Sequence, residues 1–264
     1  MSEAFWQELQ QRFSNYVAGY YSHNEEENQA ISLKRDHTQR VCANARMLSA
    51  RLQVSGPDAR LAQIMALFHD IGRFKQYKEY KTFKDADSEN HARLSVSEIK
   101  RHDLLRGLPD ADAALVLTAI FHHNVYALPA GLDSRERFFL KLLRDADKLD
   151  IWKVFIEYCE NRAEGATDSV SLGLPDAEGC SRAVLDCLRS GRLVRMQDLA
   201  GLNDFKLLQA GWVYDLNFAP TVEAMLNRGY LERLQALLPR TPEMEDIFAR
   251  LFHYARGLLQ KAGC

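Results

Sequence analysis

Apolar side chains in this chain recur three and four residues apart, and that spacing limits what it can fold into more than any other feature. Leu61, Ile64, Met65 and Phe68 form one such run, and Leu115, Val116, Ala119 and Ile120 form another. An α-helix has about 3.6 residues per turn, so each run lies on a single face, whereas a half-buried strand needs alternation with a period of two. No stretch reads as a strand, and the expected fold class is all-α. The spacing predicts helices over roughly 2–21, 28–53, 57–71, 88–105, 110–124, 134–164, 179–190, 203–229 with a break near Pro220, and 242–261. Gly56-Pro57, Gly72, Gly107 with Pro109, Pro129 with Gly131, and Pro239 supply stop signals. Two stretches, 72–88 and 165–178, read as long irregular loops, and long ordered loops in helical domains often carry function.

Composition narrows the class. Of 264 residues, 47% are hydrophobic and 27% charged, which is enough apolar material for a sizeable core and excludes a disordered chain. The net charge of -2 exerts no general pull on nucleic acid or an anionic membrane, so any attraction for phosphate has to be local. The opening MSEAFWQELQQRF lacks the apolar core of a secretory signal, and no segment approaches ~18 uninterrupted apolar residues, so the expected location is cytoplasmic and off the membrane. Cys42, Cys159, Cys180, Cys187 and Cys264 are odd in number and not closely paired; they read as reduced thiols. The acidic run Glu25-Glu26-Glu27 reads as a solvated turn.

Two His-Asp dipeptides stand in very different surroundings. His102-Asp103 lies in the polar run KRHDLLRG and reads as surface. His69-Asp70 ends the apolar helix IMALFHDIG, which puts an imidazole and a carboxylate at the inner end of a core element, where buried polar groups need partners. Candidate partners fall on different predicted helices: His37 in DHTQRV, His91 in ENHARLSVSEI, His122 and His123 in LTAIFHHN, and Asp145, Asp147 and Asp150 in LLRDADKLDIW. Imidazoles and carboxylates converging from several helices are how helical folds build transition-metal sites. Such a donor set suits manganese, iron, cobalt, nickel or zinc better than calcium, with magnesium admissible, and one or two ions are expected.

The order H…HD…H…H…D, carried by DHTQRV, LFHDIGRF, ENHARLS, AIFHHN and RDADKLD, resembles the HD superfamily of metal-dependent phosphohydrolases, in the branch with two additional histidines. The resemblance spans about residues 36 to 150. It implies an HD-type helical bundle in which His37, His69, Asp70 and Asp147 form the basic site, with Asp70 bridging two metals. His91 and one of the tandem histidines would complete the second metal. His123 is favoured within the tandem, because its neighbours three, four and seven residues back, Ile120, Ala119 and Val116, are all apolar, whereas Thr118 stands four before His122. His122 is left near the substrate or beside a further metal. The terminal motif resembles Asp147-Lys148-Leu149-Asp150 with the first aspartate as ligand; Asp150 either orients a histidine or forms a helix ion pair.

The segment GRFKQYKEYKTFK sets Arg73, Lys75, Lys78, Lys81 and Lys84 against Glu79 alone. Its Phe74, Tyr77, Tyr80 and Phe83 could stack on a base or wall a pocket, or pack back on the core. Arg73, three positions past Asp70, is expected to contact a phosphate. Trp212, Tyr214 and Phe218 read as core packing rather than a cap over the pocket. No GxGxxG, P-loop or GxSxG signature competes.

The expected organisation is a catalytic core over 20–165, preceded by an N-terminal helix, with a helical extension over 166–264 that packs on it as a cap. The expected activity is hydrolysis of a phosphate ester or anhydride in a small anionic substrate, a nucleotide among the candidates. Asp70 would bridge the ions and accept a proton, with Arg73, Lys148 or His122 offsetting charge on the phosphoryl oxygens. Nucleic acid is not an expected partner, and a homo-oligomer is compatible with the sequence. The same ligand pattern resembles HD-type di-iron oxygenases such as myo-inositol oxygenase, which is the alternative; a non-catalytic metal-binding or ligand-sensing module is a third reading.

Overall fold

A computed structural model of the chain describes residues 1–54, 56–161, 170–176 and 178–262. Part of the expected 165–178 loop, residues 165–169 and 177, and also Cys264, lie outside the described residues. Those described are helical throughout apart from short turns and connections, with no strand, so the fold is all-α. They divide into two compact units, Met1–Asp150 and Ile151–Cys264, and the division falls inside one long helix.

The first unit contains α1 (Glu3–Ala18), α2 (Glu25–Arg51), α3 (Gly56–Phe68), α4 (Gly72–Tyr80), α5 (His91–Arg101), α6 (Asp110–His122) and the greater part of α7 (Ser134–Glu160). Starts follow from capping chemistry. Ser2, Asn24 and Asn90 each accept a backbone N–H of the first turn with their side chains, satisfying donors that have no partner inside the helix. Glu25, Glu26 and Glu27 are thus the first turn of α2, where carboxylates oppose the positive end of the helix dipole. Leu61, Ile64, Met65 and Phe68 of α3 are fully buried, as their spacing requires. At about 25 cal/mol per Å² of apolar surface, each such side chain stabilises the fold by roughly 1.5–3 kcal/mol.

The charged segment after His69-Asp70 is not the expected irregular loop. Its first nine residues form α4, which has no side-chain N-cap and ends at Lys81 in the left-handed conformation. Packing makes this helix: Phe74 is fully buried with its ring 6.0 Å from Phe13 and 6.1 Å from Tyr20, and Gln76 is also fully buried. Gly72 explains how α4 comes so close to α5. A Cβ there would stand 2.4 Å from the Ser95 nitrogen, so only glycine fits, and the Gly72 N–H donates to Ser95 Oγ at 2.9 Å. The start of α4 is therefore clamped against the helix that begins at His91.

The second unit holds the end of α7, then α8 (Arg182–Arg189), α9 (Leu202–Gly211), α10 (Ala219–Asn227), α11 (Tyr230–Ala236) and α12 (Pro242–Ala262). Its core is aromatic: the Trp152 ring lies 5.9 Å from both Trp212 and Tyr230, and Trp152 Nε1 donates to the Gln209 carbonyl at 3.0 Å. Tyr214 packs edge-on against Tyr254, so Trp212 and Tyr214 both lie in the packing of this unit. The predicted 203–229 helix is interrupted after Gly211 by a short 3-10 turn, Trp212–Asp215, and resumes with Pro220 in the first turn of α10. Cys42, Cys159, Cys180 and Cys187 are free thiols. Among the described residues no helix is long and apolar enough to cross a membrane.

Candidate metal centre

Five separate elements of the first unit bring their polar side chains to one place. His37 comes from the middle of α2, His69 and Asp70 from the turn between α3 and α4, His91 from the first position of α5, His123 from the end of α6, and Asp147 from α7. Ligating atoms in three overlapping triads, His37–His69–Asp70, His69–His123–Asp147 and Asp70–His91–His123, lie within 4.8 Å of one another. Asp70 stands between them: Oδ2 is 3.6 Å from His37 Nε2 and 3.8 Å from His69 Nε2, while Oδ1 is 3.6 Å from His91 Nε2 and 3.8 Å from His123 Nε2. Asp147 Oδ1 closes the other side, 3.2 Å from His37 Nε2 and 3.5 Å from His69 Nε2.

The outer nitrogens of the four imidazoles decide what the inner ones can do. His37 Nδ1 meets Asp150 Oδ2 at 2.7 Å, His69 Nδ1 the Ala66 carbonyl at 2.8 Å, His91 Nδ1 Asp85 Oδ2 at 2.7 Å, and His123 Nδ1 the Ile120 carbonyl at 2.7 Å. Carbonyls and ionised carboxylates only accept, so each Nδ1 carries the proton and donates. In the neutral rings every Nε2 then presents a lone pair inward. His91 and His123 point these lone pairs at each other across 3.1 Å, and His69 Nε2 and Asp147 Oδ1 are buried without a hydrogen-bond partner. Acceptors facing acceptors in a buried place are costly unless a cation sits among them. The donor set therefore fits divalent transition-metal ions, with the outer partners fixing ring orientation as such sites require.

A family model of the HD domain matches residues 35–152. This segment is an HD domain. Its His and Asp clusters fit an HD-type metal site. No curated protein and no solved structure matches the chain.

Electrostatics within the HD domain follow from burial against neighbouring charge. Burial would raise the Asp70 carboxyl, but Lys34, His69, Arg73 and His91 outweigh it and hold it well below the usual carboxylate range. Asp147 is likewise held ionised against burial by His37 and His69. Burial, reinforced by His91 and His69, drives His123 down to about 3, and burial with Arg73 lowers His91, so both rings stay neutral. For His37, burial and Lys34 act downward but the Asp147 and Asp150 carboxylates prevail, and its pKa rises. A proton and a metal ion thus compete for His37 Nε2.

Other expected site residues have distinct placements. His122, the last residue of α6, packs edge-on against Phe121 and belongs to none of the triads; Lys148 is buried on α7. Asp145 is fully buried on α7 and also outside the triads. Asp150 orients a histidine, accepting from His37, and its ion pair is not within its own helix but across to Arg40 of α2, through contacts of 2.6 and 3.1 Å. Arg73 turns toward its own loop: Nη1 donates to the Phe83 carbonyl, to Gln76 Oε1 at 2.7 Å and to Asp85 Oδ1 at 3.0 Å, while its buried Nε stands 3.6 Å from Asp70 Oδ1. Phe74, Tyr77 and Phe83 are buried, Tyr77 and Phe83 with ring centroids 4.9 Å apart, and so pack on the core instead of presenting faces to a base. Only Tyr80 of that aromatic group is exposed, donating to Glu89 at 2.7 Å. His102 lies at the end of α5 with 45% of its side chain exposed, 3.3 Å from Glu98, away from the cluster.

Three contributors carry no obvious mark in the sequence. Asp85 gathers His91, Arg73 and Gln76 on one carboxylate. Arg144 Nη1 donates to the His123 and Val125 carbonyls at 3.0 and 2.6 Å and fixes the turn after His123. Lys34 Nζ lies 3.0 Å from Asp70 Oδ2; helix spacing could have found it, since it precedes His37 by three residues and so shares its face.

Proposed function

We propose that the HD domain is a metal-dependent phosphohydrolase acting on a small phosphate ester or anhydride. The observation that carries this reading is the inward convergence of four Nε2 atoms on two carboxylates, with every Nδ1 held as a donor. His37, His69 and Asp147 would hold one ion, His91 and His123 a second, and Asp70 would serve both. When bound, the ions supply a water acidified toward neutral pH and neutralise charge on the phosphoryl oxygens. The chain's own residues do the rest. Asp70, ionised at neutral pH, would accept a hydrogen bond from that water. Asp150, Asp85 and the Ala66 and Ile120 carbonyls keep the four rings from rotating. Lys34 and Arg73 flank Asp70 and give the site cationic character in a chain of net charge -2, which supports an anionic substrate.

The test is a phosphate-release screen over nucleotides and small phosphoesters, with the protein loaded in turn with manganese, iron, cobalt, nickel, zinc and magnesium. Release by wild type and none by Asp70→Ala supports the reading. Oxygen-dependent turnover of an iron-loaded protein without phosphate release would replace it with the HD-type oxygenase reading, since the same six residues can hold two irons.

A further inference from the structure

Two cations flank Asp70, and they are not equivalent. Arg73 has its Nη1 committed to the Phe83 carbonyl, Gln76 and Asp85. Lys34 makes one hydrogen bond among the described residues, to Asp70 Oδ2, although an ammonium has three N–H groups to give. It is no ordinary surface pair: the Lys34 side chain is 17% exposed and its partner 5%. The ammonium also sits 5.3 Å from the Phe83 ring centre, which favours a cation at that depth.

Asp70 Oδ2, which Lys34 holds, is the same oxygen that faces His37 and His69. A divalent ion between those imidazoles would be repelled by an ammonium hydrogen-bonded to its own ligand. The long, flexible lysine stem lets the head group move away from Asp70 while Phe83 still restrains it. An anion held at the site would offer that ammonium a new partner.

We infer that Lys34 is a substrate-binding residue whose ammonium leaves Asp70 for a phosphoryl oxygen when metal and phosphate occupy the site, so that it opposes metal binding and strengthens anion binding. The anion half rests on the phosphohydrolase reading; the metal half does not.

The experiment is calorimetry on the full chain in two stages. Manganese is titrated into wild type, Lys34→Met, Lys34→Gln and Lys34→Arg, and inorganic phosphate is then titrated into each manganese-loaded protein. Loss of the charge in the Met and Gln variants should tighten manganese binding severalfold and weaken phosphate binding by on the order of tenfold, the loss expected for one charge-assisted hydrogen bond. Lys34→Arg, which keeps the charge, should retain most of the phosphate affinity. Far-UV circular dichroism shows which variants are folded, and the Gln variant decides if the Met variant is not. Unchanged or weaker manganese binding without the charge overturns the inference, as does phosphate binding equal to wild type. Wild type that binds manganese but no phosphate overturns the phosphohydrolase reading and the anion half together, whereas wild type that binds phosphate no better than Lys34→Gln overturns this inference alone.

Discussion

Asp85 accepts the Nδ1 proton of His91 at 2.7 Å, and the same carboxylate accepts from Arg73 and Gln76 at 3.0 Å each. One aspartate thus ties the segment that follows α4 to the ring facing His123. Burial opposes its charge, but His91, Arg73 and Gln76 keep its carboxyl well below the usual range. Asp85→Asn keeps the shape and removes the charge that fixes the tautomer of His91. Divalent-metal affinity should fall by about 10- to 100-fold, the usual effect of losing a partner that orients a metal-binding histidine. Manganese titration checks this, and wild-type affinity in the variant would show that His91 needs no such partner.

Gly72 and Gly257 make a matched pair. A Cβ at Gly72 would lie 2.4 Å from the Ser95 nitrogen and 2.8 Å from the Leu94 carbonyl carbon, both backbone atoms that cannot move without shifting α5. Gly72→Ala should therefore destabilise the protein by about 1–3 kcal/mol. Gly257, inside α12, has open space around its would-be Cβ, and Gly257→Ala should stabilise by roughly 0.5–1 kcal/mol through helix propensity. Denaturant melts of the two variants should move in opposite directions.

Little of this close approach could be read from the chain. The glycine stands in HDIGRF, where it reads as a stop signal, and nothing local announces that Ser95 lies against it. The same holds for α4, whose three cations, Arg73, Lys75 and Lys78, suggest a loop, while Phe74, Gln76 and Tyr77 are buried in it. Long-range packing overrides a weak local preference there. The six clustered His and Asp residues were legible through the order H…HD…H…H…D and its resemblance to the HD family, and apolar helical runs added their own support only at His69-Asp70 and His123. Asp85 was not, since its partner His91 is reached through a loop and the two have no fixed helical offset. Lys34 was within reach, one turn before His37 on the same helix, but its partner Asp70 comes from another element.

The neutral rings give the metal-free protein a definite response to acid. His123 is held at about 3, by burial first and then by His91 and His69, against an ordinary value of 6.5. The unfolded chain therefore takes up this proton first, and the stability present above pH 6.5 is lost as the pH falls toward 3. His91 acts in the same direction. His37 is shifted upward, so its contribution is complete below 6.5 and fades as the pH rises through its folded value. Asp70 and Asp147 lose theirs only near and below their ordinary 3.8. In the presence of a chelator, the Tm should drop between pH 7 and pH 5, and His123→Gln should flatten that dependence. An unchanged slope in the variant would mean that His123 is not the buried neutral group described.

The central claim is that His37, His69, Asp70, His91, His123 and Asp147 form one site for two ions with Asp70 shared between them. Elemental analysis of protein loaded with manganese and then dialysed counts those ions directly. Wild type should retain about two per chain, and Asp70→Ala should lose both from tight binding, because each ion gives up a ligand at once. Wild type without bound metal, or Asp70→Ala with the wild-type content, would contradict the account.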